Sequence, residues 1–348
     1  GLGDVYKRQD YGPAIETLEK NIQYLELNFT RYNELTANGD HLEAQDMLNS
    51  LSSDLDSLED ILKRLPAMYD QIKNEFEALV QDLRDGYDRM VKANFKFDTD
   101  NIPEQIDQVQ EKLNEAKAAI KNADLANAQT LMDKSDREIE SLYDLMEAEV
   151  EAKHEVGKQM KDLANQLNIV KENNRYAGIE VDRIAQSYLL HENEVDQVAE
   201  FAQQIEEEEG KYQAHHQSLE ANQAIYSEVE TDLRKSQKRL NELDEKQKNL
   251  VKSLGQLSVR EKEAKSNLDL YELDMRNMKR RLEKQHLPGL NQSYYDLFYK
   301  VTDQIEDLSK QLNHVRIDMN EIDAMEEDIE NHLSQLDELT EEILDNAT

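Results

Sequence analysis

Apolar residues recur at alternating steps of three and four along most of the chain, which is the spacing of a helix that packs on another helix. The first series consists of Ile15, Leu18, Ile22, Leu25, Phe29 and Tyr32. It stops at Asn38-Gly39-Asp40, where Gly39 tolerates left-handed dihedrals, Asp40 is an N-cap residue and Glu43 completes a capping box. This pattern predicts one helix before the turn and another after it.

The second series keeps one register from Ala44 to Met90 and passes Pro66 without a shift. Proline removes one backbone hydrogen bond and normally kinks or ends a helix. Because the apolar register is the same on both sides, we expect a kinked but continuous helix; the alternative is a break at Pro66.

Later segments repeat this alternation between helices and short turns. The spacing predicts a helix capped by Asn101, a turn at residues 122–124 and a long helix that ends near Asn173-Asn174. A further helix is expected from about Gly178 to the acidic run at residues 206–209. Each predicted boundary coincides with residues that favour turns or caps.

The longest unbroken series extends from Tyr226 to Leu282 and passes directly through Gly255. One helix of roughly 65 residues would be about 100 Å long at 1.5 Å per residue. We expect it to stop at Leu287-Pro288-Gly289-Leu290, because proline and glycine together end a helix.

The chain also contains an internal repeat. Residues 39–45 realign with residues 123–129 at an offset of 84, and weaker copies of the hinge occur near Ser218 and Asn320. Each unit comprises a shorter helix, a tight hinge and a longer helix whose far end serves the next unit, as in spectrin repeats.

The predicted architecture is therefore all-α: an elongated rod of spectrin-like repeats, in which antiparallel coiled-coil or three-helix bundle units share long helices. Residues 1–9 lack the periodicity, and we interpret them as a non-native leader. The predicted repeats are residues 10–97, residues 98–175, residues 176–286 and residues 287–348, the last of them truncated.

Composition narrows the range of functions. The chain has 41 Lys and Arg against 76 Asp and Glu, so its net charge of −35 disfavours binding to nucleic acid. It has no cysteine, which excludes disulfides, thiolate nucleophiles and zinc-thiolate or iron-sulfur sites. No apolar run is long enough to span a membrane, so the chain is predicted to be soluble.

Motifs for catalysis are few. The sequence has no phosphate-binding Gly-rich loop, which argues against a nucleotide-driven machine. Two Glu-x-x-His pairs, Glu151 with His154 and Glu283 with His286, have the spacing of di-iron ligands, but chance explains two such pairs in a chain this acidic. We predict no enzyme activity, no cofactor and no metal site.

One stretch departs from the acidic average. Residues 234–286 carry 15 Lys and Arg against 9 Asp and Glu, a local net charge of +6. The candidate partner-binding patch consists of Arg234, Lys235, Lys238, Arg239, Arg276, Lys279, Arg280, Arg281 and Lys284. It could bind an acidic partner, another copy of the chain or anionic lipid, and the alternative is that these side chains pair with acidic neighbouring helices.

A specific motif, Leu287-Pro288-Gly289-Leu290, is followed by distinctive segments at residues 294–298 and residues 312–319. Supporting segments lie at residues 86–90, residues 186–188 and residues 341–347. In these segments the sequence resembles the EzrA family of bacterial septation-ring regulators, and the resemblance extends over nearly the whole chain after Gln9.

The resemblance implies a non-enzymatic scaffold of Gram-positive bacteria at the cytoplasmic face of the membrane, at the division septum. It implies that the scaffold binds the tubulin-like protein FtsZ, restrains FtsZ rings and links them to cell-wall synthases. Family members have an N-terminal transmembrane helix and a further C-terminal region, so this chain is expected to be an internal fragment that is anchored only through a segment it lacks. The alternatives are a generic coiled-coil tether or an arm of a chromosome-segregation complex.

Overall fold

A computed structural model describes residues 9–97, 101–284 and 290–347. The chain is 90% helical and has no strand among the described residues, so the all-α class predicted from the sequence is confirmed. The helices are α1 (Ile15–Ala37), α2 (His41–Asp70), α3 (Glu77–Lys92), α4 (Ile102–Lys121), α5 (Leu125–Ala185), α6 (Glu194–Glu220), α7 (Tyr226–Lys284), α8 (Gln292–Leu312) and α9 (Met319–Asn346).

The first predicted turn is confirmed, with one difference at its cap. Helix α1 ends at Ala37, α2 begins at His41, and Gly39 has a φ of +81°. Asp40 is the N-cap residue, but its side chain makes no capping hydrogen bond, so the predicted capping box is wrong. The Asp40 backbone still begins the helix, since its carbonyl accepts from the Ala44 N–H at 2.9 Å, but the side chain does not turn back to the N–H groups of the first turn.

Pro66 lies inside α2, and the helical backbone continues past it, as predicted. Proline has no N–H to donate to the carbonyl four residues earlier, which here belongs to Leu62. The Tyr11 hydroxyl donates to that carbonyl at 2.9 Å, so the freed acceptor is satisfied. A π-helical segment, Gln71–Phe76, then joins α2 to α3 without a turn between them.

Other predicted boundaries agree with the structure. The Asn101 side chain caps α4 by accepting from the Glu104 N–H, and the turn at residues 122–124 is formed with Ala123 at a φ of +57°. Helix α7 is a single helix of 59 residues that includes Gly255. The predicted stop at residues 287–289 lies outside the described residues.

The predicted helix end near Asn173-Asn174 is wrong, because α5 continues to Ala185 and includes Gly178. The side chain of Asn173 donates to Asp244 at 2.9 Å, and that of Asn174 donates to Gln247 at 2.8 Å. The two asparagines therefore lie inside α5, and their side chains donate hydrogen bonds to α7.

The following helix was expected to include Tyr188, but α6 begins only at Glu194. The intervening backbone pairs with the segment before α9: Leu189 N–H donates to the Ile317 carbonyl, and Ile317 N–H donates to the Ser187 carbonyl, each at 2.9 Å. These tertiary hydrogen bonds replace the helical ones, and no periodicity of side chains encodes them.

The chain divides into two compact units. The first comprises residues 1–158 with residues 215–231, and the second comprises residues 159–214 with residues 232–348. The boundaries of the four repeats remain a prediction from the sequence.

In the first unit, α3 packs on the hairpin formed by α4 and the start of α5. Lys117 of α4 forms an ion pair with Glu77 of α3, and the Tyr143 hydroxyl of α5 donates to Asp82 of α3 at 2.6 Å. Leu83, Leu113 and other apolar residues of the three helices are fully buried between them. This is a three-helix arrangement with an apolar core and polar contacts at its margins.

The second unit repeats this arrangement twice. Helix α5 packs on the α6–α7 hairpin, with Asn173 bonded to Asp244 across α5 and α7. Helix α7 packs on the α8–α9 hairpin, where Tyr271 donates to Glu330 at 2.6 Å. In both cases the helix that covers the hairpin is the one that precedes it along the chain.

Candidate partner-binding surface

The nine basic residues predicted as a patch all lie on α7, and all of them are exposed. They form two groups. The proximal basic cluster is Arg234, Lys235, Lys238 and Arg239. The distal basic cluster is Arg276, Lys279, Arg280, Arg281 and Lys284. Since about 37 residues at 1.5 Å per residue place the clusters roughly 55 Å apart, the structure does not bring them into one site.

The proximal basic cluster takes part in interhelical pairing. Arg239 and Lys211 each lie 3.3 Å from the Glu208 carboxylate of α6, which is only 6% exposed. Burial acts to raise the pKa of Glu208, but hydrogen bonds from Ser236, Lys211 and Arg239 outweigh it, and the pKa is lowered. Arg239 thus stabilises an internal carboxylate.

Most side chains of the distal basic cluster form no ion pair within the described structure. Arg281 forms an ion pair with Glu341 of α9 at 2.7 Å, and both side chains are about half exposed. The other four members make no ion pair with any described residue. Exposed pairs of this kind contribute only about 0–1 kcal/mol, so even Arg281 can exchange its partner at little cost.

A groove beside the distal basic cluster is lined by aromatic rings that the sequence analysis did not identify as a surface. It has a volume of about 380 Å³, and its lining residues are Lys279, Leu282, Glu283, Leu290, Tyr294, Tyr295, Phe298 and Tyr299. Tyr295 and Tyr299 stack with ring centroids 6.5 Å apart, and Tyr299 is 60% exposed. The signal in the sequence was the concentration of four aromatic residues within residues 294–299.

The same end of the unit contains two carboxylates that face each other across α7 and α9. Burial and the charge of Asp274 raise the pKa of Asp337 to about 6; Glu341 acts in the same direction and Arg281 opposes it. A carboxyl group whose pKa is raised on folding holds its proton better in the folded state. Its contribution to stability is therefore present at low pH and is lost as the pH rises from about 4 to about 6.

We expect Asp337→Asn to raise the melting temperature near pH 7, because it removes the repulsion between Asp337 and Asp274. Near pH 4 the variant and the parent should melt alike, since Asp337 is then protonated. Thermal unfolding followed by circular dichroism from pH 4 to pH 7.5 measures this. Asp328→Asn, at an exposed position of the same helix, is the control, and an equal gain in both variants would contradict the prediction.

The geometry gives little support to the possible metal ligands in the two Glu-x-x-His pairs. Glu151 and His154 are exposed on α5, whereas His286 of the second pair lies outside the described residues. Within the described part of the chain, no group of three or more His, Asp or Glu side chains could hold a metal ion. None of the described helices is long and apolar enough to cross a membrane.

The hairpins α4–α5, α6–α7 and α8–α9 each pack against the helix that precedes them, and this repeated arrangement defines the class as an all-α helical repeat protein with charged exposed faces. Residues 5–348 match the family described as septation ring formation regulator, EzrA, and the chain belongs to this family. That family is one of cell-division regulators and is not a known enzyme class.

Curated relatives carry the name Septation ring formation regulator EzrA. The chain is 31% identical to the protein of Enterococcus faecalis over 340 residues. This alignment covers 98% of this chain and 59% of the relative. It is 28% identical to the Streptococcus sanguinis protein and 29% identical to that of Lactiplantibacillus plantarum, each over 97% of this chain and 59% of the relative. The chain thus spans about three fifths of the relatives' length. No solved structure matches it.

Proposed function

We propose that this chain is a helical scaffold within a non-enzymatic negative regulator of FtsZ ring formation. In this proposal the scaffold acts at the cytoplasmic face of the membrane at the division septum. It is anchored through a segment outside this chain, and it connects the division ring to cell-wall synthesis. Membership of the septation-ring family supports the division role.

The observation that carries the proposed contact with FtsZ is the distal basic cluster beside its aromatic groove. In a chain of net charge −35, an acidic partner is repelled by most of the surface and attracted where cations are concentrated. Arg276, Lys279 and Arg280 are exposed and make no ion pair with another described residue. The adjacent Tyr295 and Tyr299 supply the exposed aromatic area that interface anchors commonly use.

The proposal predicts that the triple variant Arg276→Glu, Lys279→Glu, Arg280→Glu binds GTP-assembled FtsZ at least about tenfold more weakly than the parent chain. Co-pelleting and light scattering, at low and at high salt, measure binding and filament bundling. The parent chain should co-pellet with FtsZ and reduce bundling, and salt should weaken both effects because the contact is electrostatic.

The matched control is Lys235→Glu, Lys238→Glu, Lys252→Glu, which makes the same change in net charge at exposed positions of the same helix. It should retain binding within about threefold, since only long-range repulsion changes. Equal losses in the two variants would contradict a local contact at the distal basic cluster. If the parent chain itself failed to bind FtsZ, the proposed contact would be wrong for these repeats.

A further inference from the structure

A groove with an apolar floor lies between α3 and α5 of the first unit; it is called the α3–α5 groove below. It has a volume of about 520 Å³. Met90 and Met146 line its floor and are nearly buried, whereas Val150 lines it closer to the solvent and is 39% exposed. An open groove of this size with an apolar floor and few polar groups has the form of a binding site.

The groove depends on a glycine. Gly86 lies inside α3, where glycine weakens a helix relative to alanine. A Cβ atom on Gly86 would lie 3.2 Å from the terminal methyl carbon of Met146, so a larger side chain there has to displace Met146 or occupy the groove. Glycine therefore keeps the groove open at the expense of helix propensity.

The polar contacts between α3 and α5 stop short of the groove. The Tyr143 hydroxyl donates to Asp82 at 2.6 Å, but beyond Tyr143 no hydrogen bond or ion pair joins α3 to α5 among the described residues. Between α7 and α9 of the last bundle, by contrast, such contacts continue from Tyr271, which donates to Glu330, to the ion pair between Arg281 and Glu341. The groove thus lies where cross-helix bonding ends.

The wall of the groove on α5 is acidic. Glu147 and Glu151 line it, are exposed and form no ion pair with any described residue. Being four residues apart, they lie on the same face of the helix one turn apart and repel each other. With Asp82 and Arg89 on α3, the lining residues have a net charge of −2. A cationic group in the groove would relieve this repulsion.

We propose that the α3–α5 groove binds a basic amphipathic helix of a partner protein. The apolar side chains of that helix cover Met90, Met146 and Val150, and two Lys or Arg side chains one turn apart pair with Glu147 and Glu151. This contact is separate from the one proposed for FtsZ, because the distal basic cluster lies in the second unit and attracts acidic partners.

The probe is a fluorescein-labelled helical peptide with leucine on one face and lysine on the others; a second peptide has glutamate in place of lysine. Fluorescence anisotropy measures their binding to this chain, and we expect the lysine peptide to bind more tightly. The variant Glu147→Lys, Glu151→Lys should bind it at least about tenfold more weakly, because attraction becomes repulsion. Gly86→Leu leaves the net charge unchanged but fills the groove, and it should weaken binding by a similar factor, at least about tenfold.

The matched control is Asp136→Lys, Glu140→Lys, which makes the same change in charge at exposed positions of α5 that do not line the groove. It should retain binding within about threefold, and circular dichroism should show that every variant keeps its helical content. Equal losses in the two charge variants would overturn the proposal, as would a Gly86→Leu variant that binds like the parent. Self-association of the parent chain that Gly86→Leu abolishes in sedimentation velocity would do the same, because the occupant would then be a second copy.

Discussion

Replacing Leu240 by alanine is expected to lower the free energy of unfolding by about 2–5 kcal/mol. Leu240 is completely buried on α7, so the shorter side chain removes apolar contacts and leaves a cavity that the packed helices fill only in part. Urea denaturation followed by circular dichroism at 222 nm measures the change in the transition that includes this helix.

Leu270→Ala is the matched control, because Leu270 lies on the same helix and is 61% exposed. Its substitution should change the free energy of unfolding by no more than about 0.5 kcal/mol. A Leu240→Ala variant as stable as Leu270→Ala would mean that the core of this unit is not where the structure places it.

Gln247→Ala is expected to have the next largest effect, a loss of about 1–3 kcal/mol. Gln247 is only 1% exposed, its side-chain amide donates to the Val170 carbonyl at 3.2 Å, and its side-chain oxygen accepts from Asn174 at 2.8 Å. Alanine makes neither hydrogen bond, so the Val170 carbonyl and the Asn174 amide each lose one partner, and the amide keeps its second hydrogen bond, to the Val198 carbonyl at 3.2 Å. The same denaturation experiment measures the loss.

Gln256 provides the comparison, since it is exposed and nine residues further along α7. Gln256→Ala should be neutral within about 0.5 kcal/mol, because water replaces whatever its amide contacts. If the two glutamine variants unfolded at the same urea concentration, the buried hydrogen bonds of Gln247 would contribute nothing measurable.

The candidate surface was predictable in part. That the nine basic residues are exposed follows from their positions beside the apolar series of α7, because seam positions turn inward and their neighbours turn outward. Pairing with an acidic neighbouring helix was the alternative interpretation of the sequence, and Arg239 follows it; that its partner is the buried Glu208 could not be predicted, since this depends on how α6 and α7 pack. The aromatic groove was missed because it forms only where α7 meets the start of α8.

Local sequence was enough to specify the all-α class, the single long helix α7, the continuity of the helix past Pro66 and the turns near residues 40 and 123. These features depend on local dihedral preferences and on the three-four spacing of apolar residues, which can be read from each segment by itself.

Tertiary packing, by contrast, sets where α5 ends and which partners the polar residues inside the helices have. Asn173 and Asn174 looked like the end of a helix, but α7 supplies hydrogen bonds that keep them within it. Tyr188 looked like part of a helix, but its neighbours pair with the backbone of Ile317. The physical reason is that a polar group needs a partner, and in these places the partner comes from a helix or loop distant in sequence.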